Sequence, residues 1–272
     1  MYDKMTLQSI ALFISVFSLI VSCVKEPAGN DYENMNVTGR VELFARLGED
    51  TKASVTETGV VSWQETDDIG VYTSSSAIET FSVSSITDGV AVFTASLQPG
   101  VTPEALAVYP ATSFKSLAEE TVVISYPATY VYEKDAMKAP MAAVIGSDNE
   151  LSFRHVGGLI RVSCPAVPSH AVSFSLVAEG KKIVGNFTET LQEDMTVVTI
   201  SSKNNNSASV SFAAGTDAMA FNIPIPTGEY GKITAEFTDS EGNVLSEYEL
   251  YSGLSVQRAD RYVTSLSSLN GS

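Results

Sequence analysis

The sequence predicts an all-β chain of two tandem β-sandwich domains, and three observations carry that expectation. Apolar residues recur with a period of two rather than 3.6, as on strands with one buried face. The alternating runs are short and are separated by clusters of turn-forming residues. No stretch has the spacing of a long amphipathic helix.

Taken in chain order, the first element is not part of the body. Sixteen mostly apolar residues, Leu7 to Ser22, run into Cys23. They are too few to span a bilayer with ease and stand before a long polar-patterned chain, as a signal peptide does. Ile20-Val21-Ser22-Cys23 has the small and aliphatic residues of a lipoprotein cleavage site, so residues 1–22 read as a lipoprotein signal peptide and Cys23 as the lipidation site. An uncleaved anchor helix and an incidental cysteine beside an ordinary cleavage site are the alternatives. The opening Met1-Tyr2-Asp3-Lys4 supplies little positive charge, because Asp3 cancels Lys4. Residues 23–38 are polar, contain Pro27 and Gly29, and read as a flexible tether.

Val41, Leu43, Ala45 and Leu47 then alternate as the first strand. Ile69 and Val71 follow, then Val90 to Ala95. Later come Ile160, Val162 and Cys164; Val172, Phe174 and Leu176; Ala208, Val210 and Phe212; Met219 to Ile225; and Ile233, Ala235 and Phe237. Glu179-Gly180, Lys203 to Ser207, Thr227-Gly228 and Ser240 to Asn243 are the turn sites between them. The sequence leaves room for short helical turns near Leu117 to Glu120 or Glu133 to Met137. The total is roughly fourteen strands or more, too many for one small sandwich and suited to two. Gly146 to Asn149 interrupts two apolar stretches, so the domains are placed at residues 39–148 and 149–272.

The chain has 272 residues, 44% of them hydrophobic, enough for a large core without disulfides. Thirty-two acidic against 16 basic residues give a net charge of −16, which disfavours nucleic acid and anionic lipid as partners. Once Cys23 is acylated only Cys164 remains, and its alternation with Val162 reads as a buried small hydrophobe. The sequence lacks HExxH, a Walker lysine loop, GxSxG and GxGxxG, and it has two histidines, so no enzyme, no metal site and no cofactor are expected. His155 reads as a general base with Cys164 or a carboxylate, or as a hydrogen-bonded histidine at a sheet or domain junction; the second is favoured. Asp67-Asp68 and Asp239-Ser-Glu241-Gly-Asn243 offer oxygens to calcium without the spacing of a calcium loop, and turn acids explain them more cheaply. Trp63, the single tryptophan, is either a sugar-stacking surface residue or a core one, and the core reading is favoured.

Several motifs in order resemble one family: the Cys23 lipobox, Thr51-Lys52-Ala53, Val61-Ser-Trp63, Asp68-Ile-Gly-Val71, Tyr109-Pro110, Tyr126-Pro127, Pro140 to Ala143, Leu151 to Val162, and Leu254 to Tyr262. Together they resemble the fimbrillin-type (Mfa-like, type V pilin) lipoproteins of Bacteroidales, with Gly157-Gly158 where the family often has an alanine. The resemblance implies two transthyretin-like β-sandwiches and delivery of a lipidated precursor to the cell outer membrane. It implies further that other fimbrial subunits are the partners, and that an arginine-specific protease removes the first strand before a neighbour's strand replaces it. Arg46, at the end of the first strand, is then the candidate processing residue, since cleavage at Arg40 would leave the strand in place. Val41, Leu43, Ala45 and Leu47 are the candidate groove residues. The expected function is a fimbrial or fimbria-like surface subunit contributing to adhesion, with a host protein or glycan as a possible ligand. A non-polymerising anchor and a stand-alone glycan-binding lipoprotein are the alternatives, with a glycoside hydrolase a distant third.

Overall fold

The computed structural model describes residues 39–48, 62–132, 138–217 and 220–266. Among them the fold is all-β. The strands are β1 (Gly39–Leu47), β2 (Asp68–Thr73), β3 (Ile78–Thr87), β4 (Val90–Leu97), β5 (Pro103–Tyr109), β6 (Phe114–Ala118), β7 (Thr121–Tyr126), β8 (Thr129–Val131), β9 (Met141–Val144) and β10 (Glu150–His155). They continue as β11 (Gly158–Ser163), β12 (Ser173–Ala178), β13 (Gly185–Thr190), β14 (Val197–Ile200), β15 (Ser207–Ser211), β16 (Ala220–Ile225), β17 (Gly228–Thr238), β18 (Val244–Val256) and β19 (Arg261–Ser265).

Seven strands close into a barrel in the order β1-β10-β9-β5-β2-β3-β4. The alternation seen in the sequence sends one face of each strand inward. Leu43, Ala45, Ile69, Val71, Phe81, Phe93, Leu151 and Phe153 are all fully buried or nearly so in one apolar cluster. Where the sequence predicts an N-terminal sandwich, the strands form a closed barrel. The reason is local: β1 pairs antiparallel with β4 along Gly39–Ala45 and parallel with β10 along Phe44–Leu47, so one strand bridges both edges.

A four-stranded sheet, β14-β13-β7-β6, packs on the outside of this barrel. Leu106, Val108 and Ala142 meet Val122, Ile124 and Phe187 there. Strand β5 is therefore covered on both faces, with Ala107 and Tyr109 in the barrel core and Leu106 and Val108 against the outer sheet. That double burial explains a continuous apolar run in place of alternation. The helical turn expected near Leu117 to Glu120 is instead the end of β6 and the turn into β7, since Leu117 and Ala118 pair with Val122 and Thr121. The other, Glu133 to Met137, lies outside the described residues.

The remaining strands form a five-stranded sheet, β18-β17-β12-β15-β8, and a three-stranded one, β16-β11-β19. Ile160, Val162, Phe221 and Ile223 of the smaller sheet share one core with Phe174, Leu176, Ile233 and Phe237 of the larger. Phe174 and Phe221 stack at 4.4 Å. This is the two-sheet, one-core arrangement of a sandwich. Cys164 is buried in it as a small hydrophobe, its thiol donating to the Ala166 carbonyl at 3.1 Å.

The sheets do not divide the chain at residue 148. Gly146 to Asn149 joins β9 to β10, neighbours within the barrel, while β8 on the near side of that position extends the five-stranded sheet. The chain leaves the barrel at Val156-Gly157, between β10 and β11. The long motif Leu151 to Val162 is thus the passage from barrel to sandwich. The motif Leu254 to Tyr262 packs on that passage: the amide of Ala259 donates to the Gly157 carbonyl at 2.9 Å, and the Arg258 Nε–H donates to the His155 carbonyl at 3.0 Å.

Candidate functional site: the first strand and the barrel seam

The candidate site is the slot that β1 fills. Its inward side chains are those the sequence singles out. Leu43 and Ala45 have no exposed surface, while Val41 and Leu47, toward the two ends, are half-buried against the same core. Their alternation with Glu42, Phe44 and Arg46, all exposed, fixes which face enters the barrel. A slip of one residue would bury a glutamate, a phenylalanine and an arginine in place of Leu43, Ala45 and Leu47.

Backbone bonds hold the strand on both sides. Toward β10, the amide of Phe44 donates to the Asn149 carbonyl at 2.9 Å, and the amide of Gly48 donates to the Phe153 carbonyl at 2.8 Å. Toward β4, pairing ends at Ala45 opposite Ala91. There the Trp63 Nε1–H donates to the Ala45 carbonyl at 3.1 Å in a buried bond. The indole is edge-on to Phe93, Tyr109 and Phe153 at 5.2, 5.5 and 5.4 Å.

The turn behind Trp63 is itself fixed. Asp67, 4% exposed, accepts from the Tyr109 hydroxyl at 2.9 Å and from the Gln64 amide at 2.8 Å. Asp68 accepts from the Ala111 amide at 3.3 Å. These two carboxylates are engaged in holding the seam, so the calcium reading of Asp67-Asp68 has no support. The other acidic stretch is the β17–β18 turn, where Asp239 accepts from the amides of Glu241 and Asn243, both at 2.9 Å. Among the described residues no group of three or more His, Cys, Asp or Glu is placed to hold a metal ion. Trp63 is a core residue at 5% exposure, and this burial removes it as a sugar platform.

Arg40 and Arg46 both point outward. Arg40 pairs with Glu42 at 3.3 Å, with side chains 64% and 47% exposed, a surface pair that contributes little. Arg46 stands opposite Ser152 of β10, one residue past the last β4 partner. The bond after it is therefore paired with β10 on one side alone. Cys23 lies outside the described residues, as do Thr51 to Ala53 and Val61.

His155 is a barrel-strand histidine, 7% exposed. Burial lowers its pKa to about 4, reinforced by the nearby Arg258 and opposed by a hydrogen bond to the Pro140 carbonyl. It sits at the passage between barrel and sandwich, the junction role the sequence favours. The sequence gives no sign of a second junction group, Glu189. It is wholly buried, accepts from the Tyr126 hydroxyl at 3.2 Å, and burial raises its pKa to about 8. A glutamate in Thr188-Glu189-Thr190 reads as an exposed strand residue until the sheet that covers it is known. Trp63 and Asp67 are each singled out in the sequence for separate reasons, and their shared purpose at the seam required the fold.

No family model and no curated protein matches the chain. A solved structure from Bacteroides ovatus, of a protein ascribed to cell adhesion, is similar over 86% of this chain and 95% of that one, at 12% identity and a TM-score of 0.50. The two share a fold. A Bacteroides uniformis protein also ascribed to cell adhesion reaches a TM-score of 0.46 at 16% identity, covering 84% of this chain and 91% of that one. The tip fimbrial protein Mfa3 of Porphyromonas gingivalis reaches 0.34 at 11% identity, with 84% and 94% covered. At 12% identity the likeness to the Bacteroides ovatus structure speaks for the fold alone.

Proposed function

We infer that the chain is a non-enzymatic surface subunit of the fimbrial or fimbria-like kind, assembled by strand exchange at the barrel seam and contributing to adhesion. One observation carries this reading. A single strand at the start of the described body closes the barrel, and its two inner residues are wholly buried while the arginine at its end is exposed. Withdrawing β1 would leave open backbone donors and acceptors on β4 and β10 above an apolar slot, the surface that an incoming strand completes by β-augmentation. The shared fold with a Bacteroides protein ascribed to cell adhesion supports the same reading.

In this view the barrel is a transthyretin-like sandwich sealed by its own first strand, and the fold behind it is the second. The chain reaches the cell outer membrane as an acylated precursor beginning at Cys23, with residues 23–38 as tether. Cleavage after Arg46 then frees β1 for replacement by a strand from another subunit of Mfa-like type. A subunit that keeps β1 would instead remain a monomeric anchor, and the complete seam bonded to Trp63 is the state such an anchor would hold. A glycan-binding role finds no platform at Trp63.

The direct test is an Arg46→Lys variant in the native envelope. It is expected to accumulate as a folded, monomeric precursor. Normal polymers from this variant would overturn the reading.

A further inference from the structure

The seam holds a feature that strand exchange alone does not require. The Trp63 N–H reaches the backbone of the occupying strand rather than a side chain, and it does so where β4 ceases to pair. The bond is buried and 3.1 Å long, and the residue that bears the accepting carbonyl is small. Ala45 is that residue, with no exposed surface, and it lies across from Ala91 on one side and Leu151 on the other. Two residues earlier the same slot takes Leu43, also fully buried, opposite Phe93. The slot thus distinguishes a large position from a small one two residues apart. Alternation alone would not, because a slip of two residues keeps every apolar side chain on the inner face.

We propose that Trp63 is the register gauge of the seam: it selects an occupying strand in the order aliphatic–x–large–x–small–x–aliphatic and fixes it by accepting only a small residue at the position whose carbonyl it binds. This rests on the exchange reading above. Trp63 acts on the strand as a specificity-determining residue, with Asp67 and Tyr109 as the positioning pair that hold its turn. The strand supplied by a second subunit would carry the same large-then-small order, whatever its remaining sequence.

The test uses the full chain nicked by an arginine-specific protease and two labelled peptides. One has the sequence of Val41 to Leu47; the other has the residues of positions 43 and 45 exchanged, with composition, charge and alternation unchanged. Incorporation into the nicked chain is followed by fluorescence anisotropy in mild denaturant. The native order is expected to bind at least about tenfold more tightly, the scale on which overpacking a core position acts. In a Trp63→Phe chain both peptides are expected to bind, with that preference reduced to about threefold or less, since phenylalanine has neither the N–H nor the bulk. Equal binding of the two peptides by the wild-type chain overturns the gauge while leaving strand exchange standing. So does an unchanged preference in Trp63→Phe. Failure of both peptides to bind the wild-type chain overturns the exchange reading, and the gauge with it. If Trp63→Phe does not fold, the wild-type comparison still decides.

Discussion

At the scale of single residues, space and burial decide more than chemistry does. Gly157 has no positive φ and is not a turn glycine; it is small because a Cβ there would lie 2.1 Å from the Ile225 carbonyl oxygen and 2.9 Å from the Tyr126 hydroxyl. Neither the carbonyl nor the buried tyrosine has room to retreat. A Gly157→Ala chain is expected to lose about 3 kcal/mol or more, read as a lowered midpoint in urea. Gly231→Ala, in an open part of β17, should stay within about 0.5 kcal/mol of wild type. Glu189 makes the second residue-scale prediction. Its carboxyl keeps its proton in the fold up to about 8, whereas in the unfolded chain it loses it near 4.5. The folded state therefore binds more protons across that window, and stability falls as pH rises through it. Glu189→Gln, which can still accept from Tyr126, should remove this slope. Urea titrations are expected to show the variant equal to wild type below 4.5 and more stable by roughly a few kcal/mol above 8. These two positions also show what the sequence withholds: Gly157 and Glu189 are decided by contacts with Ile225 and with Tyr126, and nothing near them in the chain announces either.

Among the elements, a strand is most legible where polar and apolar residues alternate along it. β1, β4, β12, β15 and β17 announce themselves because polar and apolar residues alternate along them. β5 does not, being covered on both faces, and β6 leaves a turn of helix open because only four of its residues pair, with a bulge between Phe114 and Ser116. Val41, Leu43, Ala45 and Leu47 face the barrel core as the alternation predicts, but the bond from Trp63 to the Ala45 carbonyl spans eighteen positions and belongs to the fold. Element-scale energetics give a further prediction. Leu43→Ala removes the large inner side chain of β1 and is expected to cost about 2–5 kcal/mol. Because that loss falls on the seal, cleavage after Arg46 in the folded precursor should speed up more than cleavage at sites in the sandwich, measured as the relative appearance of the two fragment sets on an arginine-specific protease. Equal acceleration everywhere would mean that β1 is not separately removable.

At the scale of the molecule, the expected pair of sandwiches is met by an all-β fold whose N-terminal part closes on itself. The closing contacts are parallel: β1 with β10, as later β11 with β19 and β8 with β15. Parallel partners so far apart in the chain leave no local signature, whereas hairpins such as β17–β18, with Asp239 to Asn243 at the turn, do. For the same reason the apolar gap at Gly146 to Asn149 looked like a boundary and is a connection between adjacent barrel strands. Under the proposed exchange the replaceable element is β1, whose parallel partner β10 lies about a hundred residues further along the chain. The measurement that tests this most directly is the intact mass and oligomeric state of the protein from its native envelope, before and after an arginine-specific protease, beside the Arg46→Lys chain. The account predicts a wild-type body beginning at Leu47 in ladder-like polymers and an Arg46→Lys chain that stays a monomer. Polymers built from chains that still carry β1 would contradict it.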